Sequence, residues 1–167
     1  MSQLPAFDAA FFRSALGRFA TGVTVVSTAS PAGGRIGLTV SSFNSVSLNP
    51  PLVLWSLSMA SSSLEIFRRC ERYVVNVLSS DQIALARHFA TGITTERFDG
   101  LPEVDAPFGT PRLDESNAAW FECRNRSQYA EGDHLIMVGE VLACGFSTHD
   151  PLVFHAGGFD LTPVRQP

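Results

Sequence analysis

The stretch richest in chemically useful side chains is a run of small hydroxyl residues within residues 37–51. Hydroxyl groups set between apolar side chains line many ligand clefts. The same residue types also dominate solvated turns, so a binding wall and a turn are both open on composition alone. The hydroxyl residues are Thr39, Ser41, Ser42, Ser45 and Ser47, and the apolar residues between them are Val40, Phe43, Val46 and Leu48.

The residues after this run favour the binding wall. Pro50 and Pro51 end the extended segment, and a continuous apolar segment begins at once, over residues 52–58. That segment has the length and composition of a buried strand. The hydroxyl run is therefore expected to lie between two strands of one core.

A second group of hydroxyls, Ser61, Ser62 and Ser63, precedes a short helical pattern. Ser62 and Glu65 have the spacing of a capping box. The free amides at a helix start favour phosphate, while the simpler interpretation is that Ser62 only caps the helix. Both interpretations are open until another residue implies a ligand.

Three further polar residues stand out by position. Asn76 interrupts an apolar strand at residues 73–78, and a buried Asn needs partners, either a neighbouring loop or the polar edge of a ligand. Arg97 lies at the root of a long Gly- and Pro-rich stretch, residues 93–113, which is typical of an active-site lid. His134 follows a tight turn and is expected at a hairpin corner, where it either faces a ligand or bonds its own turn.

Charge and hydropathy exclude several classes of partner. The formal net charge is −4 and no basic run occurs, so nucleic acid is not an expected partner. No apolar stretch is as long as a membrane span, and a cytoplasmic protein is expected. Cysteine and histidine spacing predicts neither a disulfide framework nor a metal site.

Common catalytic motifs are also missing. The sequence contains no dinucleotide-binding Gly-x-Gly-x-x-Gly, no P-loop, no Gly-x-Ser-x-Gly and no His-Glu-x-x-His. The remaining set is a hydroxyl wall, a helix start, one arginine and one histidine. That set suits a phosphorylated planar cofactor.

The elements that must position these residues are mainly strands. We predict one domain over residues 1–167, with residues 1–7 and 164–167 as tails. A helix capped by Asp8 and stopped at Gly22 is expected to lie on the core. Tight turns between the strands favour an antiparallel barrel over a parallel doubly wound sheet. Predicted strands cover residues 23–29, 35–40, 52–58, 73–78, 118–129, 134–146 and 152–154, and further helices start at Ser62 and Ser79.

Taken together, these segments resemble the flavin reductase family of split-barrel flavoproteins. The resemblance runs in order through most of the chain. It rests on residues 12–26, 37–51, 75–78, 89–90, 97–98, 132–134, 139–141 and 151–152.

The resemblance implies a homodimeric, mainly β protein with helices, a six-stranded antiparallel Greek-key split barrel. It implies that FMN or FAD binds there and is reduced by NADH or NADPH, with the reduced flavin passing to a separate monooxygenase. His134 is then expected to face the nicotinamide. The cofactor-binding residues implied are Thr39, Ser41, Ser42, Phe43, Ser62, Ser63, Asn76, Phe89 and Arg97.

Two other classes of protein compete with this one. A flavin oxidase of the pyridoxamine-phosphate oxidase type has a related barrel but passes electrons to oxygen. A non-enzymatic flavin or haem carrier is the second alternative. Bleaching of bound flavin by a reduced nicotinamide distinguishes a reductase from both.

Overall fold

Strands form most of the fold in this computed structural model, which describes residues 7–114 and 116–160. The predicted tails lie outside the described residues, apart from Phe7. The helices are α1 (Ala9–Leu16), α2 (Leu64–Arg69) and α3 (Ile83–Thr91), with a 3-10 turn at Ser80–Gln82 before α3. The strands are β1 (Thr21–Gly22), β2 (Thr24–Ala29), β3 (Arg35–Val40), β4 (Asn44–Leu48), β5 (Pro51–Ser58), β6 (Arg72–Val77), β7 (Val104–Asp105), β8 (Pro111–Arg112), β9 (Ala119–Glu131), β10 (His134–Phe146), β11 (Val153–His155) and β12 (Gly158–Asp160).

The main sheet has seven antiparallel strands in the order β3-β2-β6-β9-β10-β5-β4. The predicted mainly β, antiparallel class is thus confirmed, but the expected count of six strands is wrong. The extra strand is β4, which the hydroxyl run forms for itself. Its side chains are mostly exposed, so the short Ser-Val-Ser-Leu alternation of residues 45–48 does not correspond to a core-facing side.

The connection between the two edge strands of this sheet decides its shape. In a flat sheet, six spacings of about 4.8 Å would put β3 and β4 about 29 Å apart. The chain from Val40 to Asn44 can span only about 14 Å. The sheet must therefore curl until its two edges approach each other at residues 41–43.

Aromatic packing fills the inside of this curled sheet. Trp55 of β5 meets Phe67 and Tyr73 edge to face, with ring centroids 5.3 and 5.6 Å away. The alternate residues Val53, Trp55 and Leu57 of β5 are buried, as a half-buried strand requires. The opposite side of β5 carries Ser56 and does not face this aromatic core.

Helix α3 packs over a second apolar cluster, which includes the fully buried Phe89. The predicted capping box forms just before this helix, where the Ser79 N–H donates to Gln82 Oε1 over 2.9 Å. The helix ends at Thr91, with Gly92 next in the chain as predicted. The region 93–113 contains turns and the short β7–β8 ladder.

Helix α1 departs from the sequence prediction. Asp8 caps it, accepting from the Phe11 N–H over 2.8 Å, but the helix ends at Leu16, before Gly17, and not at Gly22. The expectation that it lies on the core is wrong, because none of its residues is buried. Phe11 is 69% exposed. Helical apolar spacing predicts a face that needs cover, and the spacing does not say what covers it.

The capping box predicted at Ser62 does not form. Ser63 is the N-cap of α2 and makes no side-chain capping bond, while the Ser62 hydroxyl lies 3.0 Å from the Thr94 hydroxyl. Glu65 pairs instead with Arg68 and Arg69 along the helix surface. No helix within residues 7–114 and 116–160 is long and apolar enough to cross a membrane.

Candidate functional site

A cleft of about 440 Å³ lies where the curled sheet brings the end of β3 near the end of β5. Segments before α2 and after α3 complete its rim. Hydroxyl groups dominate the lining, together with Arg97, His134 and an apolar patch that includes Leu38 and Val40. The hydroxyl residues are Thr39, Ser41, Ser42, Ser56, Ser58, Ser61 and Ser62.

The cleft brings together seven of the ten residues that the sequence predicted for the site. They come from segments far apart in the chain, which the curl of the sheet and the packing of α3 place around one cavity. These seven are Thr39, Ser41, Ser42, Ser62, Phe89, Arg97 and His134.

Ser42 closes the cleft wall on the β5 side. Its hydroxyl accepts from the Ser56 N–H over 2.9 Å and donates to the Ser56 carbonyl at 3.2 Å. Asn44 pairs with Leu54 in the β4–β5 ladder, so Ser42 lies opposite Ser56, two residues beyond that pair. There the side chain of Ser42 makes the hydrogen bonds to Ser56 that a backbone partner makes elsewhere in the ladder. This serine therefore has a structural task at the seam of the sheet.

Thr39 and Phe89 tie α3 to the wall from behind. The Thr39 hydroxyl donates to the Ala86 carbonyl of α3 over 2.6 Å. Phe89 packs edge to face against Phe98 with centroids 5.0 Å apart, and a methyl group added at Gly37 would lie 2.7 Å from its ring. Since Phe89 has no exposed surface, it supports the wall and offers no face to a ligand.

Arg97 supplies positive charge at the cleft. Its Nε donates to the Gly92 carbonyl over 3.0 Å, and its Nη1 donates to the Gly37 carbonyl over 2.9 Å. Desolvation lowers its pKa from the ordinary value, which is high enough that the guanidinium stays charged. It forms no ion pair with a carboxylate among the residues that the structure describes, so its charge is available to an anion.

Two serines of the 61–63 group face the cleft near this arginine, and the third does not. Ser61 and Ser62 line the cavity, whereas Ser63 is buried. Because α2 has only six residues and a weak cap, its dipole contributes little, and anion recognition here depends on hydroxyls and the guanidinium.

His134 opens β10 at the other rim of the cleft. Its Nδ1 lies 2.6 Å from a carboxylate oxygen of Asp133, and its side chain is 46% exposed. The hydrogen bond from His134 lowers the pKa of Asp133 below its ordinary range. The imidazole is thereby oriented by its sequence neighbour.

Three predicted residues lie outside the cleft lining. Phe43 packs on Phe121, with ring centroids 5.5 Å apart, and belongs to the core boundary.

Asn76 is fully buried, and its amide nitrogen donates to the Val25 carbonyl and the Ser27 hydroxyl, both at 2.9 Å. Its oxygen accepts from the Leu113 N–H over 3.0 Å. The neighbouring-loop interpretation of Asn76 thus fits, and a ligand contact does not. The third residue is Ser63, which is buried behind the cleft.

Ser56 and Ser58 were missed in the sequence. The sequence predicts residues 52–58 as one continuous apolar strand, whereas in the structure the serines alternate with buried Trp55 and Leu57. This two-residue period is the signal that one face of β5 is polar.

The donor set identifies the kind of ligand that fits. Apolar residues and hydroxyls suit a flat ring system with polar edges, and Arg97 with nearby hydroxyls suits an attached anionic group. Among the described lining residues no carboxylate is present, so an anionic ligand would meet no like charge in the cleft itself. The residues present therefore fit a flavin phosphate.

Comparison with known proteins gives a consistent result. Residues 16–162 match the model of the flavin reductase like domain. The chain is 45% identical over 148 residues to an FMN reductase (NADH), SmoA, of Agrobacterium fabrum, covering 89% of this chain and 83% of the relative. It is 35% identical over 156 residues to the reductase component of a 4-nitrophenol monooxygenase of Rhodococcus opacus, covering 93% of this chain and 82% of the relative.

A solved structure agrees with the fold. The NADH:FAD oxidoreductase SgcE6 of Streptomyces globisporus, in complex with NAD and FAD fragments, superposes with a TM-score of 0.86. The two chains are 33% identical, and the match covers 94% of each.

Proposed function

The chain belongs to the flavin reductase like family, and we propose that it binds FMN or FAD in the cleft and reduces the flavin with NADH or NADPH. The observation that carries the proposal is the cleft itself. Hydroxyls from β3, from β5 and from the segment before α2 surround apolar residues there, beside Arg97, whose charge no carboxylate of the lining neutralises. We also propose that the curled sheet is the split barrel expected of this family.

The residues divide the work of holding the flavin. The half-buried apolar residues Leu38 and Val40 cover the ring and exclude water, the hydroxyl of Ser41 meets its polar edge, and Thr39 holds the wall against α3 through its bond to Ala86. We assign the phosphate to Arg97 and Ser62, because a guanidinium with free N–H groups and a nearby hydroxyl form strong charge-assisted hydrogen bonds.

When bound, flavin supplies the redox chemistry by accepting a hydride from a reduced nicotinamide. The protein needs mainly to hold two rings in contact, which lowers the barrier by fixing orientation. We assign His134 to the nicotinamide side of the cleft and the backbone N–H groups of residues 41–43 to the negative charge gained on reduction.

We propose that the reduced flavin passes to a separate monooxygenase. The relative from Rhodococcus opacus is named as the reductase component of such a system. Our support within the chain is that the cleft is formed by the rim of the sheet and not enclosed in its core, so that a bound flavin has a route out.

We also propose a homodimer in which a second copy covers α1. The exposed aromatic face of this helix and the residues just after it carry Phe11, Phe12 and Phe19, each at least half exposed. Phe7 adds to it, with its ring centroid 5.5 Å from that of Phe12. Contiguous apolar surface of this kind marks a protein interface.

The proposed activity is tested by consumption of NADH and NADPH with FMN, FAD and no flavin. We expect nicotinamide consumption that depends on added flavin, and anaerobic bleaching of the flavin. Bleaching under anaerobic conditions excludes a carrier. No consumption with either flavin, from folded protein, would contradict the proposal, and oxygen uptake with pyridoxamine phosphate in place of nicotinamide would support the oxidase alternative.

The phosphate assignment is tested by comparing FMN with riboflavin. Loss of charge-assisted hydrogen bonds worth about 1.5–3 kcal/mol predicts that Arg97→Gln weakens FMN binding by about 10-fold or more, with Ser62→Ala smaller. Riboflavin affinity should change little, which controls for damage to the wall. Fluorescence titration of both ligands is the measurement.

Arg87→Gln is the matched control, because Arg87 lies on α3 over the ring of Phe159 and outside the cleft lining. It should leave both affinities unchanged. If Arg97→Gln and Ser62→Ala keep the wild-type ratio of FMN to riboflavin affinity, the phosphate lies elsewhere.

The dimer is tested by sedimentation of wild type and a Phe11→Ser, Phe12→Ser double variant. Each buried Phe side chain is worth about 1.5–3 kcal/mol, so the double variant should dissociate at least about 100-fold more readily. Phe108→Ser removes an exposed aromatic away from α1 and should remain dimeric. A monomeric wild type, or a double variant as dimeric as wild type, would refute this interface.

A further inference from the structure

The tip of the β9–β10 hairpin holds a short hydrogen bond with no assigned role. Asp133 Oδ1 and His134 Nδ1 are 2.6 Å apart. Both residues are exposed, with the Asp133 side chain at 94% and the His134 side chain at 46% of full exposure. An exposed ion pair contributes little to stability, so any importance of this contact lies in the orientation and protonation of the ring.

The chemistry of the pair sets the tautomer of His134. An ionised carboxylate can only accept hydrogen bonds, so Nδ1 must carry the proton that lies between the two residues. In the neutral imidazole Nε2 then has a lone pair and can only accept. His134 lines the cleft, so the nitrogen left for a ligand is a hydrogen-bond acceptor.

The backbone around the pair is fixed relative to the cleft. Gly132 has φ of 59°, the left-handed conformation that lets the tight turn form. The Asp133 carbonyl accepts from the Met59 N–H over 2.9 Å, and His134 pairs with Ser58 of β5, itself a cleft residue. The backbone that carries the carboxylate is thus held by a turn that is bonded to the far end of β5.

We propose that Asp133 is a positioning residue that keeps the His134 ring in the Nδ1–H tautomer, so that Nε2 accepts a hydrogen bond from a ligand N–H at the cleft. Given the proposed function, on which this inference rests, the ligand group is the primary carboxamide of the reduced nicotinamide. A carboxamide has two N–H donors and matches a neutral imidazole acceptor.

The role of Asp133 is distinct from a general surface charge. The neighbouring Glu131 carries the same charge at the same hairpin tip, yet its carboxylate does not bond the His134 ring within the described structure. Glu131→Gln therefore removes one negative charge from the tip and keeps the bond to Nδ1. It is the matched control for Asp133→Ala and Asp133→Asn.

The test begins with ¹⁵N-histidine NMR of the ligand-free protein at about pH 8, where an ordinary imidazole is neutral. A His134→Gln sample identifies the His134 signals among the four histidines. We expect the Nδ1–H tautomer in wild type and Glu131→Gln. Asp133→Ala should shift His134 towards Nε2–H, and Asp133→Asn, whose amide oxygen still accepts, should lie between.

Stopped-flow reduction of bound FMN by NADH supplies the second readout. Asp133→Ala should slow hydride transfer by about 10-fold, with partial rescue in Asp133→Asn and FMN affinity unchanged, because a misoriented ring costs rate and not flavin binding. An Nε2–H tautomer in wild type, or Asp133→Ala behaving like Glu131→Gln in tautomer and rate, would overturn the positioning role. Failure of wild type to reduce flavin would overturn the proposed function, and is separate because the tautomer is measured without flavin.

Discussion

The short connection between β3 and β4 is the constraint on which the rest of the structure depends. These strands lie at opposite edges of a seven-stranded sheet, yet only residues 41–43 join them. The sheet has to curl, and the Ser42 hydroxyl fixes the seam by bonding both backbone polar groups of Ser56. A hydroxyl can do this because it donates and accepts at once.

The cleft is a consequence of that curl. Where the edges meet, the backbone of β3 turns away and leaves side chains of two strands facing one space, which α3 and the segment before α2 border. Arg97 fastens this border, since its guanidinium spans the carbonyls of Gly37 on β3 and Gly92 after α3. Arg97 therefore both links β3 to the end of α3 and supplies the positive charge of the cleft.

The strands and much of the cleft could be predicted from the sequence, because both leave local signals. Turn residues marked β3 and β10, a continuous apolar run marked β5, and the resemblance to a family placed His134 and Arg97 at one site. What a helix face or a polar side chain packs against could not be predicted. The apolar spacing of α1 indicated a face that needs cover, but it could not show that the core of the same chain leaves this face exposed. The position of Asn76 in an apolar strand indicated that it needs polar partners, but it could not show that these partners lie within the fold and not on a ligand. Capping at Ser62 failed because its hydroxyl bonds Thr94, a residue 32 positions away that local spacing cannot reveal.

Hydrogen exchange with and without FMN, followed by mass spectrometry, tests most directly whether the seam of the curled sheet is the flavin site. We predict slower exchange in peptides covering residues 38–43, 56–62 and 92–97, each of which contains residues that line the cleft. A second cavity of about 320 Å³ lies on another part of the molecule, between residues 28–31, 69–72 and 108–110. Protection confined to that cavity, or FMN binding that leaves the seam unprotected, would contradict the assignment of the flavin to the seam.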